Sequence, residues 1–209
     1  MTVVVREIPT RALGAGTTLE RIYRATDEHG RARSPWYCSC RDTEVTGRFD
    51  LPRPRGTCYL ADHLDGAFLE VFRGAWAVAS TDVASRRAMR ATATREHAPW
   101  TDLTDAKAVR AGVTLDVYAG NDYTTTRELA VDADAMGSLG IISLLRHQSA
   151  GRLRSIAMFG PAGEHRAAPA GWTAQREALS AAVVRLSPEL RQRIRDVPHT
   201  LRAVPPPSV

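Results

Sequence analysis

The sequence contains no long apolar stretch. Its wholly apolar runs span only a few residues, too few for a transmembrane helix, so we expect no contact with a membrane. A charge appears at Arg6, before a secretory signal could complete its apolar region, and we therefore expect a cytoplasmic protein. The 209 residues allow one well-buried core, and 44% hydrophobic and 24% charged residues exclude a disordered or fibrous chain.

Lysine is almost missing. Lys107 is the single lysine among 28 basic residues, so arginine supplies nearly all of the positive charge behind the net charge of +5. The planar guanidinium of arginine is suited to binding phosphate and carboxylate groups. Because the basic residues are spread along the chain and form no concentrated run, we do not expect direct binding of nucleic acid.

Cysteine is scarce as well, with Cys38, Cys40 and Cys58 in the whole chain. The Cys-Ser-Cys spacing is too short for a zinc knuckle, and no second Cys/His pair lies at a matching distance. We therefore predict no metal and interpret these residues as reduced thiols. A metal site or a redox pair remains as the alternative.

Periodicity predicts a single α+β domain with a small mixed or antiparallel sheet and flanking helices. Strands are predicted at 17–25, 57–61, 100–103, 139–144 and 154–159. Helices are predicted at 64–75, with Asp62 as the N-cap, at 82–95, in a short segment that ends at residue 111, and at 124–136. Two further helices are predicted near the C-terminus, and the second of them begins at Ser187-Pro188.

Three polar residues stand out at equal spacing. Arg48 lies in a Gly-Arg turn, Tyr59 in a predicted strand eleven residues later, and Glu70 in a predicted helix another eleven residues on. Glu70 lies off the apolar stripe of its helix, so it points away from the core. Such a set could hold a phosphorylated sugar: the guanidinium binds phosphate, the phenol ring stacks on a base, and the carboxylate stabilises positive charge on ribose.

The segments Gly-Arg-Phe-Asp (47–50), Tyr-Leu-Ala-Asp (59–62) and Ala-Phe-Leu-Glu-Val-Phe (67–72) resemble the core of the RES domain. This family supplies the toxin of many bacterial toxin–antitoxin pairs. The similarity extends over roughly residues 17–162. It implies a chain divided into a lead-in (1–16), a RES-like NAD-binding and catalytic core (17–162), C-terminal helices (163–202) and a flexible tail (203–209).

The resemblance also implies an activity and a site. RES domains have a fold like that of ADP-ribosyltransferases and cleave the nicotinamide–ribose bond of NAD by phosphorolysis or hydrolysis, which depletes the cell of NAD. Arg48, Tyr59 and Glu70 match the active-site arginine, tyrosine and glutamate of the family, and Arg24 is a candidate second phosphate ligand. NAD is then the substrate, inorganic phosphate a candidate co-substrate, and no separate cofactor is expected. The expected partner is a helix-turn-helix antitoxin.

Two positions depart from the family pattern. The family has an aromatic residue, one further residue, a serine and a basic residue after its Gly-Ile strand, whereas this chain has Ser143 where the aromatic residue belongs. Ser143 from its shifted position, or Ser149, is the candidate for the role of that serine. Asp50 also replaces the more common asparagine.

Two other functions use the same residues. The chain could be a catalytically silent RES-like module that binds a nucleotide or a partner, because the serine has moved. It could also be an ADP-ribosyltransferase that acts on a macromolecule. The sequence leaves open the acceptor and the choice between a monomer and a homodimer.

Overall fold

A computed structural model describes residues 3–42, 47–120, 122–147 and 153–196. The strands in these ranges are β1 (Thr10–Leu13), β2 (Thr18–Arg24), β3 (Trp36–Cys38), β4 (Arg55–Ala61), β5 (Val78–Ala79), β6 (Arg86–Ala93), β7 (His97–Asp102), β8 (Gly140–Leu144), β9 (Arg154–Pro161), β10 (Gly163–His165), β11 (Trp172–Ala178) and β12 (Ile194–Arg195). The α-helices are α1 (Leu64–Val71), α2 (Ser80–Ala84), α3 (Leu115–Ala119), α4 (Thr124–Ala135), α5 (Leu179–Ala182) and α6 (Pro188–Arg191), with 3-10 helices at Val5–Glu7, Ala106–Val109 and Val183–Arg185. None of the helices in these ranges combines the length and apolar character that crossing a membrane requires.

Eight strands form one mixed sheet in the order β1-β7-β8-β9-β4-β2-β6-β11. The neighbours β7 and β8 run parallel, and the other neighbouring strands run antiparallel. Two small sheets pair β3 with β10 and β5 with β12. The predicted α+β fold is thus confirmed, with a main sheet larger than the small one expected.

The two faces of the main sheet bury different clusters, because side chains alternate along each strand. On β4, Cys58 and Leu60 pack on one face with Met89 of β6 and Trp100 of β7. The opposite face carries two further clusters, one under α1 and one under α4. Tyr59 belongs to this second face and borders the cluster under α4. The candidate site residues Tyr59 and Ser143, described below, lie on the same face as the two helices.

A central strand replaces the helix predicted at residues 82–95. The short α2 ends at Ala84, and β6 follows, hydrogen-bonded to β2 on one side and to β11 on the other. Alanine, arginine and methionine favour helices locally, but pairing on both edges outweighs that propensity. The helix prediction is therefore wrong for β6.

The ends of the chain also contribute strands. The segment 163–202, predicted to be helical, begins with β10 and β11, and β11 extends the main sheet by pairing with β6. Only afterwards come α5 and α6, and α6 begins at Pro188 after Ser187, as predicted. The predicted lead-in 1–16 contains β1, which pairs with β7. The tail 203–209 lies outside the described residues.

Helix α1 begins and ends at other residues than predicted. Its N-cap is His63, whose ring nitrogen accepts the backbone N–H of Asp65, while Asp62 accepts the backbone N–H of Arg154 at 2.9 Å. The helix ends at Val71, because Arg73 takes a positive φ of 51° that an α-helix does not allow. The predicted strands at 17–25, 57–61, 139–144 and 154–159 and the helix at 124–136 are confirmed within a few residues.

Candidate active site

The strand register places Tyr59 and Ser143 on one face of the sheet. Tyr59 of β4 lies opposite Ala157 of β9, and Ser143 of β8 lies opposite Ser155 of β9. Residues opposite each other point to the same face, and positions 155 and 157 on one strand do so too. Two of the predicted site residues therefore share the face that carries α1 and α4.

Asp50 ties the Gly-Arg turn to the sheet. Its carboxylate accepts three hydrogen bonds, from the backbone N–H of Gly47 at 2.6 Å, the hydroxyl of Ser39 at 2.7 Å and the hydroxyl of Tyr59 at 2.8 Å. The side chain of Asp50 is fully buried. In the sequence Asp50 ends the Gly-Arg-Phe-Asp segment and replaces an asparagine, but nothing in the local sequence indicates that three separate segments meet there.

The hydroxyl of Tyr59 is occupied on both sides. It donates to Asp50 and accepts the backbone N–H of Phe49 at 2.9 Å. Burial and the charge of Asp50 raise the pKa of Tyr59 well above its ordinary value, so the phenol stays protonated. A Cβ atom at Gly47 would overlap the Tyr59 ring, which explains glycine at the start of this turn. The half-buried ring is the part of Tyr59 that remains for a ligand.

Arg48 is held against the end of helix α3. The side chain is only 8% exposed, and its Nη1 donates to the backbone carbonyls of Val117, at 3.2 Å, and of Tyr118. The guanidinium also lies 5.5 Å from the centre of the Phe49 ring. A guanidinium carries N–H donors on three nitrogens, and within the described residues no hydrogen bond occupies the nitrogens of Arg48 other than Nη1.

Charges around Arg48 show which residues converge on it. Burial lowers the pKa of Arg48, and the charge of Arg146 lowers it further. The charges of Glu70, Tyr123 and Tyr59 raise the pKa of Arg48 and so oppose this effect. Electrostatic interactions of this kind require proximity. The structure therefore brings together Arg48, Tyr59 and Glu70, the three residues that the sequence spacing singled out.

Glu70 and Ser143 each present a buried oxygen without a hydrogen bond. Oε1 of Glu70 and Oγ of Ser143 have no partner within the described residues, and Ser143 is only 1% exposed. An unpaired buried polar atom costs about 1–3 kcal/mol, so such atoms are uncommon unless a ligand completes them. Ser143 lies inside β8, as predicted, while Ser149 lies outside the described residues.

Arg24 occupies the edge of this face. Arg24 is the last residue of β2 and follows Glu20 by four positions, so the two side chains point to the same face. Because Glu20 pairs with Ala61 of β4, and Ala61 is two positions after Tyr59, this is also the face of Tyr59. Arg24 lies opposite Arg86 and helps to lower the pKa of Arg86, after the larger effect of burial. In the described residues no hydrogen bond joins Arg24 to Arg48, Tyr59 or Glu70, so its role as a phosphate ligand stays a prediction.

Arg146 is a second basic group beside Arg48, and the sequence pattern did not indicate it. Arg146 donates to the hydroxyl of Tyr123 at 3.2 Å, and the Arg127 guanidinium lies 5.7 Å from the Tyr123 ring. Nε of Arg127 is buried and unpaired among the described residues. The four-residue separation of Tyr123 and Arg127 at the start of a predicted helix is the signal that could have indicated this pair. Arg146 thus adds a second guanidinium near Arg48.

Within the described ranges, no three side chains of His, Cys, Asp or Glu are arranged to hold an ion. Glu70 lies near His147. Burial lowers the pKa of His147, and the negative charge of Glu70 opposes this larger effect by raising it. The site thus combines arginines, an aromatic ring, a carboxylate and a hydroxyl, a set that fits an anionic nucleotide.

Comparisons with known proteins identify the family to which this chain is similar. The family model for the RES domain matches residues 21–181. A chain in the crystal structure of the M. tuberculosis MbcT–MbcA toxin–antitoxin complex superposes with a TM-score of 0.58 at 19% sequence identity, covering 83% of this chain and 91% of that chain. At this identity the similarity shows a shared fold. No curated protein matches the sequence.

Proposed function

The chain belongs to the RES domain family, and from this premise we propose that it is an enzyme that cleaves the nicotinamide–ribose bond of NAD. Phosphate or water is the proposed acceptor of the ADP-ribosyl group. The observation that carries the proposal is the convergence of Glu70 with Arg48 and Tyr59, with one buried carboxylate oxygen of Glu70 unpaired among the described residues. The substrate is present in the cytoplasm, which is where we place the protein.

Glu70 is proposed to stabilise the transition state. Breaking an N-glycosidic bond passes through an oxocarbenium-like ribose, which carries positive charge. A carboxylate that is partly removed from water interacts strongly with such a charge, and Oε1 of Glu70 has no competing hydrogen bond among the described residues. The neutral nicotinamide leaves with the electron pair of the broken bond.

Arg48 is proposed to bind the pyrophosphate of NAD. Its Nη1 is fixed by the carbonyls at the end of α3, which orients the rest of the guanidinium. Arg146 lies close enough to lower the pKa of Arg48, and two neighbouring guanidiniums favour an anion between them. Arg24 would extend phosphate binding along the same face of the sheet.

Tyr59 and Ser143 are proposed to position the substrate. The ring of Tyr59 offers a stacking surface, since its hydroxyl is already bound on both sides. The hydroxyl of Ser143 is unpaired in the described residues and can donate to the substrate or accept from it. In this proposal neither residue exchanges a proton with the reacting bond.

A protein partner completes the proposal. We propose that the chain is the toxin of a toxin–antitoxin pair, with a helix-turn-helix antitoxin that covers the turn at Arg48 and the helix that carries Glu70. Support comes from the structural neighbour, which is a chain of the MbcT–MbcA toxin–antitoxin complex. The net charge of +5 favours an acidic segment in that partner.

The direct test is to incubate the purified protein with NAD, with and without inorganic phosphate, and to follow the release of nicotinamide. We expect release by the wild type and a strong loss in Glu70→Gln. Faster release with phosphate, and formation of a phosphorylated ADP-ribose, would identify phosphorolysis. Calorimetric binding of NAD by an inert wild type would instead support the silent binding module, and transfer of label to a macromolecule would support an ADP-ribosyltransferase.

A further inference from the structure

Two cysteines lie directly opposite each other on neighbouring strands. Ser39 and Thr57 exchange both backbone hydrogen bonds, at 3.0 and 2.7 Å, which pairs the end of β3 with β4 in antiparallel fashion. The next pair outward is Cys38 and Cys58, and it is a pair without backbone hydrogen bonds. At such positions the Cα atoms are about 4.5 Å apart and the side chains approach most closely. This separation lies within the range that a disulfide spans.

The two sulfur atoms already interact as thiols. The thiol of Cys38 lies close enough to the sulfur of Cys58 to lower its pKa, and Nη1 of Arg21 donates to the same sulfur at 2.5 Å. These donors, the Cys38 thiol first, lower the pKa of Cys58 to about 6 against the opposing effect of burial. The same contact raises the pKa of Cys38, so one proton is retained by the pair. The lower pKa and the contact with Arg21 favour Cys58 as the nucleophile and Cys38 as the thiol that resolves it.

The surroundings restrict which oxidants can reach the pair. Cys38 is 7% exposed and Cys58 only 1%, and both belong to the apolar cluster on the face of the sheet opposite the candidate active site. So little exposed sulfur favours reaction with a small oxidant such as a hydroperoxide over a bulky disulfide such as oxidised glutathione. The pair therefore differs from an exposed cysteine that reacts with any oxidant.

We propose that Cys38 and Cys58 form a reversible redox pair that a small hydroperoxide oxidises to a cross-strand disulfide. The Cys58 thiolate attacks one peroxide oxygen, the O–O bond breaks, and hydroxide leaves, which yields a sulfenic acid on Cys58. The sulfur of Cys38 then attacks the sulfur of Cys58, the S–O bond breaks, and water leaves with the proton of Cys38. The two thiols lose two electrons and two protons in total, and hydrogen peroxide is reduced to two water molecules.

The pair lies immediately behind the candidate active site. Ser39 follows Cys38 and Tyr59 follows Cys58, and both of these neighbours donate hydrogen bonds to Asp50 on the other face. A disulfide would link β3 covalently to β4 at this point. The oxidation state of the pair would therefore control how rigidly Asp50, and with it the Gly-Arg turn, is held.

The proposal is tested on the full chain without NAD, so its outcome is independent of the proposed function. After treatment with hydrogen peroxide, denaturation and alkylation, we expect the number of free thiols to fall from three to one per chain, and dithiothreitol to restore all three. Peptide mapping should identify a Cys38–Cys58 link. The control Cys40→Ser should still form it, whereas Cys38→Ser and Cys58→Ser should not.

Hydrogen exchange on the wild type gives a second readout that does not depend on whether the variants fold. The link should slow exchange of the Ser39 and Thr57 amides, because these donors become exposed only when β3 separates from β4. Three free thiols after treatment, a link that involves Cys40, a disulfide between chains, or conversion of Cys58 to a sulfinic acid without a link would each overturn the proposal.

Discussion

The hydroxyl of Tyr59 donates to Oδ1 of Asp50 over 2.8 Å and at the same time accepts the backbone N–H of Phe49 over 2.9 Å. The phenol therefore connects strand β4 to the turn that carries Arg48. Burial and Asp50 both raise its pKa, which opposes any role as an anionic base. What Tyr59 contributes to the proposed reaction is consequently its ring and the position of the turn.

The first prediction separates the hydroxyl of Tyr59 from its ring. Tyr59→Phe leaves the backbone N–H of Phe49 without its acceptor, so we expect a loss of about 1–3 kcal/mol of stability. The ring remains, so nicotinamide release at a temperature where the variant is folded should stay near wild type. Tyr59→Ala should lose both stability and release. If Tyr59→Phe melts like wild type but releases nicotinamide as slowly as Tyr59→Ala, the hydroxyl takes part in catalysis.

The second prediction concerns Asp50, which occupies a position where asparagine is more common in the family. Asp50→Asn can still accept the N–H of Gly47 through its oxygen and donate through its nitrogen to the hydroxyls of Ser39 and Tyr59. We therefore expect only a small decrease in melting temperature. Asp50→Ala leaves three donors unpaired and should be much less stable. Equal melting temperatures for the two variants would contradict this account of the turn.

The third prediction concerns the carboxylate of Glu70. Glu70→Gln retains the shape of the side chain. Because Oε1 of Glu70 has no hydrogen-bond partner among the described residues, the melting temperature should not change. Removing the charge that faces the oxocarbenium-like ribose should slow nicotinamide release at least ~100-fold. The matched control is Glu128→Gln on the exposed side of α4, which should keep the wild-type rate. A wild-type rate in Glu70→Gln would exclude Glu70 from the reaction.

The fourth prediction concerns the buried hydroxyl of Ser143. Ser143→Ala removes an oxygen that has no partner in the described residues, so the variant should melt at the wild-type temperature or higher. Nicotinamide release should nevertheless be slower than in wild type, and slower than in Ser149→Ala. If both variants release nicotinamide at the wild-type rate, no serine of this chain has the role of the family's serine.

The fifth prediction concerns pH. Burial lowers the pKa of His147, and the negative charge of Glu70 partly opposes this by stabilising the imidazolium. In Glu70→Gln that stabilisation is lost, so the pKa of His147 should fall further. NMR titration of the imidazole in both proteins measures the difference. A pKa that is unchanged or higher in Glu70→Gln would mean that the two side chains do not interact.

The lowered pKa of His147 also determines how this residue affects the stability of the fold. Because the pKa of His147 is lower in the folded state, the unfolded chain binds more protons, and His147 destabilises the fold as pH falls below its ordinary pKa of 6.5. Above that pH its contribution vanishes. The decrease in melting temperature on acidification should therefore be smaller in His147→Asn than in wild type.

Local sequence determined the confirmed elements and the choice of candidate residues. Alternating side chains identified β4 and β8, and the helical period identified α4, because both patterns arise from neighbours along the chain. The spacing of Arg48, Tyr59 and Glu70 indicated one site, and these three residues converge in the structure.

Tertiary structure decided everything that depends on which segments meet. β6 is a strand because β2 and β11 pair with its two edges, although its alanine, arginine and methionine residues favour a helix. Asp50 holds the site because Gly47, Ser39 and Tyr59 meet at its carboxylate, and Cys38 faces Cys58 because β3 pairs with β4 in one register. Propensity and periodicity report on neighbours within a few residues, whereas strand pairing and the burial of a carboxylate depend on partners that only the folded chain brings into contact.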